Sequence, residues 1–150
     1  MKISIGSDHA GYLYKEALAE MLRNQGHEVI DCGTHSADST DYPLWCIPTA
    51  EKVANGEAEK GIVVGGSGNG EAIAANKVKG IRCAIAWSDD TARLGSQHND
   101  ANVLSIGERM VSLEEAKRFV GIWLSTPFEG GRHLKRIGEL AKYEAGQPMQ

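Results

Sequence analysis

The chain has 150 residues and a mass of 16.1 kDa, enough for one domain that buries about two-thirds of the surface exposed on unfolding, so folding requires neither a disulfide nor a structural metal. Its 16 Lys and Arg against 20 Asp and Glu leave a net charge of -4, and no broad basic surface points to nucleic acid or to an anionic membrane. The three cysteines, Cys32, Cys46 and Cys83, are odd in number and form no CxxC pair, which argues against a disulfide framework and a zinc site and for free thiols in the cytoplasm.

The chain opens Met1-Lys2-Ile3-Ser4-Ile5-Gly6, a strand pattern rather than an apolar leader, and no later stretch approaches the roughly 20 apolar residues of a membrane span. A helix follows, with Leu13, Ala17, Leu18, Met21 and Leu22 expected on its buried face and an end near Gly26, which suits a left-handed cap. Further apolar, β-branched runs at residues 29–30, 62–64, 81–86 and 103–106 read as strands, each followed by Gly, Ser or Asp and a helical pattern. The helix expected over residues 43–54 contains Pro48, which removes a backbone donor and predicts a kink or a late start. Ser112-Leu113-Glu114-Glu115 is a capping box, and Ala116, Phe119, Val120, Trp123 and Leu124 form the buried stripe of the helix it opens. Residues 130–145 look helical but too polar for a deep core, a segment suited to packing on a neighbouring subunit. Five strands alternating with helices predict a three-layer α/β/α sandwich, Rossmann-like, around a five-stranded parallel sheet. Ligands in such folds bind beyond the carboxyl ends of the strands, so the loops there are the places to search.

The first such loop is Ser7-Asp8-His9-Ala10-Gly11, where Asp8 reads equally as a functional carboxylate or a helix cap. The third strand runs into Gly65-Gly66-Ser67-Gly68-Asn69-Gly70-Glu71, whose backbone amides can curl around an anion or oxyanion. The spacing is neither GxGxxG nor a P-loop, although Asp89 and Asp90 near the end of the next strand keep a nucleotide-binding alternative open. Glu71, at the start of the following helix, is in a setting expected to keep it ionised; a carboxylate base beside a ring of amides and the Ser67 hydroxyl is what enolisation next to a carbonyl requires. Downstream lie His98 and Asn99 in a polar run, Arg109 after the fifth strand, and Arg132 and Arg136, four apart on one helical face where guanidinium forks can share a phosphate. The five histidines include no HxxxH pair, so no metal site is expected.

Taken in order, Asp8-His9-Ala10-Gly11, Asp31-Cys32-Gly33, Thr40-Asp41-Tyr42-Pro43, the 65–70 loop with Ile73-Ala74-Ala75-Asn76-Lys77, His98-Asn99-Asp100 and Arg132-His133 closely resemble the ribose-5-phosphate isomerase B family, over nearly the whole chain. That resemblance implies aldose–ketose isomerisation of a sugar phosphate through an enediolate, without cofactor or metal, in a homodimer, with pairing into a homotetramer and a hexose 6-phosphate substrate such as allose or galactose 6-phosphate left open. It further implies Glu71 as the base moving a proton between C2 and C1, Ser67 with the amides of Gly66, Gly68, Asn69 and Gly70 around the enediolate oxygens, and His98 in furanose opening. Asp8 and Asn99 would bind sugar hydroxyls, and His9, Arg109, Arg132 and Arg136 the phosphate. One branch of the family uses a cysteine base where this chain has Gly65; Glu71 matches the other branch. The resemblance also suggests a shared site, in which the segment carrying His98, Asn99 and Arg109 reaches the partner's glycine loop. A non-catalytic nucleotide-binding module and a flavodoxin-like signalling receiver are the competing classes. The first leaves Glu71, His98 and the paired arginines without a joint purpose, and the second lacks an acid at the end of the third strand, which is Gly65.

Overall fold

The computed structural model describes residues 1–150. Strands β1 (Lys2–Ser7), β2 (Glu28–Asp31), β3 (Lys60–Gly65), β4 (Cys83–Ile85) and β5 (Val103–Gly107) form one parallel sheet in the order β2-β1-β3-β5-β4. Between and after them run α1 (Tyr12–Asn24), α2 (Pro43–Ala54), α3 (Asn69–Asn76), α4 (Asp89–Gln97), α5 (Leu113–Ser125) and α6 (Arg132–Glu144). The handedness of crossovers assigns the layers: connections that step one way across the sheet place α1 and α4 on one face with α5, and those that step the other way place α2 and α3 on the opposite face. No helix is long and apolar enough to cross a membrane.

Strand alternation divides the core. Ile3, Ile5, Ile62, Val64, Leu104 and Ile106 point toward α1 and α5 and pack with Leu18, Leu22, Phe119, Val120 and Trp123. The other face is built on smaller groups, Val63 and Val103 against Cys46, Ala50, Ala74 and Ala75, and here strand polar groups also work: Ser4 Oγ donates to Thr49 O at 2.9 Å and Ser105 Oγ to Gly68 O at 2.7 Å. The second bond ties the glycine loop to the central strand β5.

The expected capping box on α5 is present, with Ser112 Oγ accepting from Glu115 N–H and Glu115 Oε1 from Ser112 N–H. Gly26, at φ 90°, ends α1 as its position suggests. Two expectations need correction, those for Leu13 and for the fourth strand. Leu13 is 73% exposed, and its expected place on the buried face of α1 is taken by Lys15, fully buried, whose Nζ donates to both oxygens of Asp31 (2.9 and 2.7 Å) and to Glu16. The fourth strand is half the expected length, because Arg82 N–H turns to the Asn102 side chain and only Cys83–Ile85 pairs with β5. Helix α2 starts at Pro43, with no late start, and carries Pro48 inside it.

Candidate active site

The carboxyl ends of β1, β3 and β5 lie side by side, with Ser7 opposite Val64 and Gly65 opposite Gly107. The loop after β3 is held by its carbonyls: Gly65 O accepts from Glu108 N–H (2.7 Å), Gly66 O from Arg109 N–H (2.9 Å) and Gly68 O from Ser105. The N–H groups of Gly66 and Ser67 donate to no group of the chain, as an oxyanion cradle requires. Gly68, at φ 85°, sits where a side chain would be strained and turns the chain into α3. Ser67 Oγ accepts from Asn69 N–H at 3.2 Å.

Glu71 stands in the first turn of α3, only 4% exposed, and folds its carboxylate back beneath Gly65, into the space a side chain there would occupy. Its Oε2 has no hydrogen-bond partner. Burial raises its pKa above the ordinary carboxylate value and nearby Asp8 adds to the rise, while the N–H groups of Glu71 itself and Gly68 pull the other way. Desolvation outweighs the helix terminus in setting the direction of the shift, which makes Glu71 a stronger proton acceptor than a surface glutamate.

Asp8 is also nearly buried; its Oδ1 accepts from Gly11 N–H at 3.1 Å, capping the turn that precedes α1 rather than the helix itself. His9 is exposed, with Nδ1 3.1 Å from Thr40 N and 3.2 Å from Thr40 O. When Nδ1 accepts from Thr40 N–H, the neutral ring carries its proton on Nε2 and offers it as a donor. Thr40 is itself fixed by Trp45 Nε1, 2.9 Å from its Oγ1. The ring of Tyr42 lies against Gly70, within 2.7 Å of where a side chain would begin. Thr40, Trp45 and Tyr42 received no role from the sequence. The run Thr40-Asp41-Tyr42-Pro43 entered only as part of the family resemblance, and no spacing within it signalled its approach to the glycine loop.

Arg109 lies over Gly66 of its own chain, its guanidinium 3.2 Å from where a side chain would start. This corrects its expected grouping with His98 and Asn99, which sit at the opposite edge of the sheet. His98 caps the end of α4 and Asn99 leads toward Val103 at the amino end of β5, roughly 15 Å of strand away from Gly107. Here His98 stacks on His133 of α6, ring centroids 4.1 Å apart and planes 15° from parallel, and Arg132 lies 3.9 Å from Glu129. Arg136 is exposed one turn further on. The nucleotide-binding alternative loses its acids, since Asp89 pairs with Arg118 and Asp90 with Arg93 on the surface.

The structure does gather donors that no HxxxH spacing announced: atoms of His98, Glu129 and His133 lie within 4.8 Å of one another. Ring nitrogens bind metals in the ring plane, at about 2.0–2.1 Å for zinc, and two stacked, nearly parallel rings with centroids 4.1 Å apart do not converge on one ion in this arrangement.

The profile of the family described as Ribose/Galactose Isomerase matches residues 3–140. The chain belongs to that family. Among its relatives, ribose-5-phosphate isomerase B of Mycobacterium leprae is 49% identical over 146 residues, covering 96% of this chain and 90% of that one. The Escherichia coli protein of the same name is 45% identical, covering 95% and 96%. Among solved structures, ribose-5-phosphate isomerase B of Clostridium thermocellum superposes with a TM-score of 0.95 at 49% identity, over 97% of this chain and 99% of that one. That of Mycoplasma genitalium with bound ribulose 5-phosphate gives 0.93 at 40% identity, over 96% of each. The family places the five-stranded α/β fold and a sugar-phosphate isomerase activity together.

Proposed function

We propose that the chain interconverts ribose 5-phosphate and ribulose 5-phosphate, with Glu71 as the base, in sites completed by a second copy. The observation that carries the reading is the Glu71 carboxylate, buried at the mouth of the glycine loop with one oxygen unpartnered, beside amides that donate to nothing else. In the forward direction Glu71 removes the proton from C2 of the open-chain aldose. The electrons pass through the C1–C2 bond to the aldehyde oxygen, and Glu71 returns a proton, exchangeable with solvent while it rests on the carboxylate, to C1 after the hydroxyl proton has moved from O2 to O1. Ser67 and the loop amides hold the enediolate oxygens through both steps. Asp8 binds a sugar hydroxyl, and His9 and Arg109 receive the phosphate.

His98, Asn99, Arg132 and Arg136 enter the same site from a second copy, His98 opening the furanose and the arginines completing the phosphate clamp. The chain's surface supports pairing: β4 is half-exposed along a sheet edge, Ile73 is exposed beside it, and α6 carries exposed Leu134 together with Leu140 and Tyr143, the last two lining a cavity of about 580 Å³. The three free cysteines fit a cytoplasmic location.

A coupled assay with ribose 5-phosphate, ribulose 5-phosphate and allose 6-phosphate tests the substrate; preference for the hexose would overturn the pentose assignment. Refolding together an inactive Glu71→Gln chain and an inactive His98→Asn chain tests the sharing. Random pairing of equal amounts should restore about a quarter of the sites, whereas a site built from one chain restores none.

A further inference from the structure

His98 is poorly anchored by hydrogen bonds. Its Nε2 is 3.8 Å from Glu129 Oε2, beyond hydrogen-bond reach, and the torsion that sets a histidine ring plane is broad. The His98 ring lies against that of His133, with centroids 4.1 Å apart and planes 15° from parallel. His133 is only 6% exposed, and its Nε2 is buried without a partner, so toward His98 it presents a flat surface rather than a donor or acceptor. It also stands in the first turn of α6 between Arg132 and Arg136. That end of the helix is joined to the end of α4 by one backbone bond, Glu129 N–H to Gln97 O at 2.9 Å.

We propose that His133 is a positioning residue: the face of its imidazole holds the plane of the His98 ring for furanose opening and couples that ring to the arginine-bearing turn of α6. The inference rests on the role of His98 given above and adds what makes that role possible. The charge environment agrees with it. Burial holds the His133 pKa below the usual histidine value, and His98, Arg132 and Arg136 push it the same way against the opposing pull of Glu129. A neutral His133 lets its neighbour take up a proton without placing two cations face to face.

Ribulose 5-phosphate separates this role from proton transfer. Its 5-hydroxyl is esterified, so it cannot close to a furanose, and exchange of its C1 hydrogen with solvent deuterium needs Glu71 and the enediolate but no ring opening. His133→Ala and His133→Leu should lower turnover of ribose 5-phosphate by about tenfold or more while leaving C1 exchange within about twofold of the parent. His133→Phe, which keeps a flat face but no nitrogen, should recover turnover to within about threefold. Size-exclusion and circular dichroism establish which variants are folded and assembled; Leu serves if Ala is not. Equal loss of turnover and exchange, no loss of either, or a Phe variant no better than Ala overturns the proposal. His98→Asn serves as the reference: if it shows the split and the His133 variants do not, positioning by His133 alone falls. If His98→Asn shows no split, the ring-opening role of His98 falls and takes this inference with it.

Discussion

Replacing Gly65 by alanine should disable the enzyme without emptying its phosphate site. A methyl group on residue 65 would overlap the Glu71 carboxylate and come within 2.7 Å of its Cγ. The strand cannot yield, because Gly65 is paired in register with Gly107 and its carbonyl accepts from Glu108 N–H at 2.7 Å. The carboxylate must therefore move, and restoring ordinary van der Waals separation requires a displacement of more than about 1 Å, which is the scale of misplacement that costs about 100-fold in rate, or about 2.7 kcal/mol of barrier. Steady-state kinetics on ribose 5-phosphate should show kcat falling by that factor, while a phosphorylated competitive inhibitor keeps its affinity within about threefold, since Arg109, Arg132 and Arg136 are untouched. A Gly65→Ala protein with kcat within about threefold of the parent would refute the assignment of Glu71's position, of its role, or of both.

Glu71→Gln should abolish isomerisation yet stabilise the fold. Because burial raises the folded-state pKa, ionising Glu71 destabilises the folded chain only as pH rises above the ordinary value of 4.5; urea midpoints should coincide at about pH 4 and separate in favour of Gln toward neutrality, and the reverse trend would contradict the burial argument. Lys15→Met leaves Asp31 without its buried cation and should cost about 3–5 kcal/mol in urea denaturation, whereas Lys15→Met combined with Asp31→Asn should cost less than the sum of the two changes. Strict additivity would show that the pair is not coupled. Alkylation by iodoacetamide near neutral pH should leave activity intact over the time that consumes a free thiol, because burial raises the pKa of all three cysteines, Cys83 to about 12 and Cys46 further still. Rapid inactivation that tracks modification of one thiol would show that burial does not protect it.

The sheet was legible because β-branched runs and the glycines that follow them are local signals, and the glycine loop with Glu71 was legible for the same reason. What failed to show was anything fixed by a partner far along the chain. Lys15 looks like a surface residue until Asp31, sixteen positions away, supplies a buried counterion, and the apolar Leu13 was assigned the protected side in its stead. The pKa rise of Glu71 depends on how much chain closes over it, which helix position alone does not reveal. Arg109 follows β5 and so returns to the glycine loop, while His98 precedes β5 and is left at the other end; only the strand direction separates them. The stacking of His98 on His133 joins residues 35 positions apart through a helix whose docking no periodicity specifies.

The overlap between residue 65 and the Glu71 carboxylate bears on how the two branches of the family can be related by descent. A thiol base at position 65 and a carboxylate base at position 71 draw on one volume, so they are alternative tenants rather than successive additions. With Glu71 as the proposed base, a lineage carrying it gains nothing by first acquiring a cysteine in place of Gly65, since the newcomer displaces that carboxylate, and losing Glu71 first leaves no base at all. The passage from one chemistry to the other therefore crosses a nearly inactive intermediate unless both positions change together. Descendants should be found on one side or the other, with the identity of residue 65 forecasting that of residue 71.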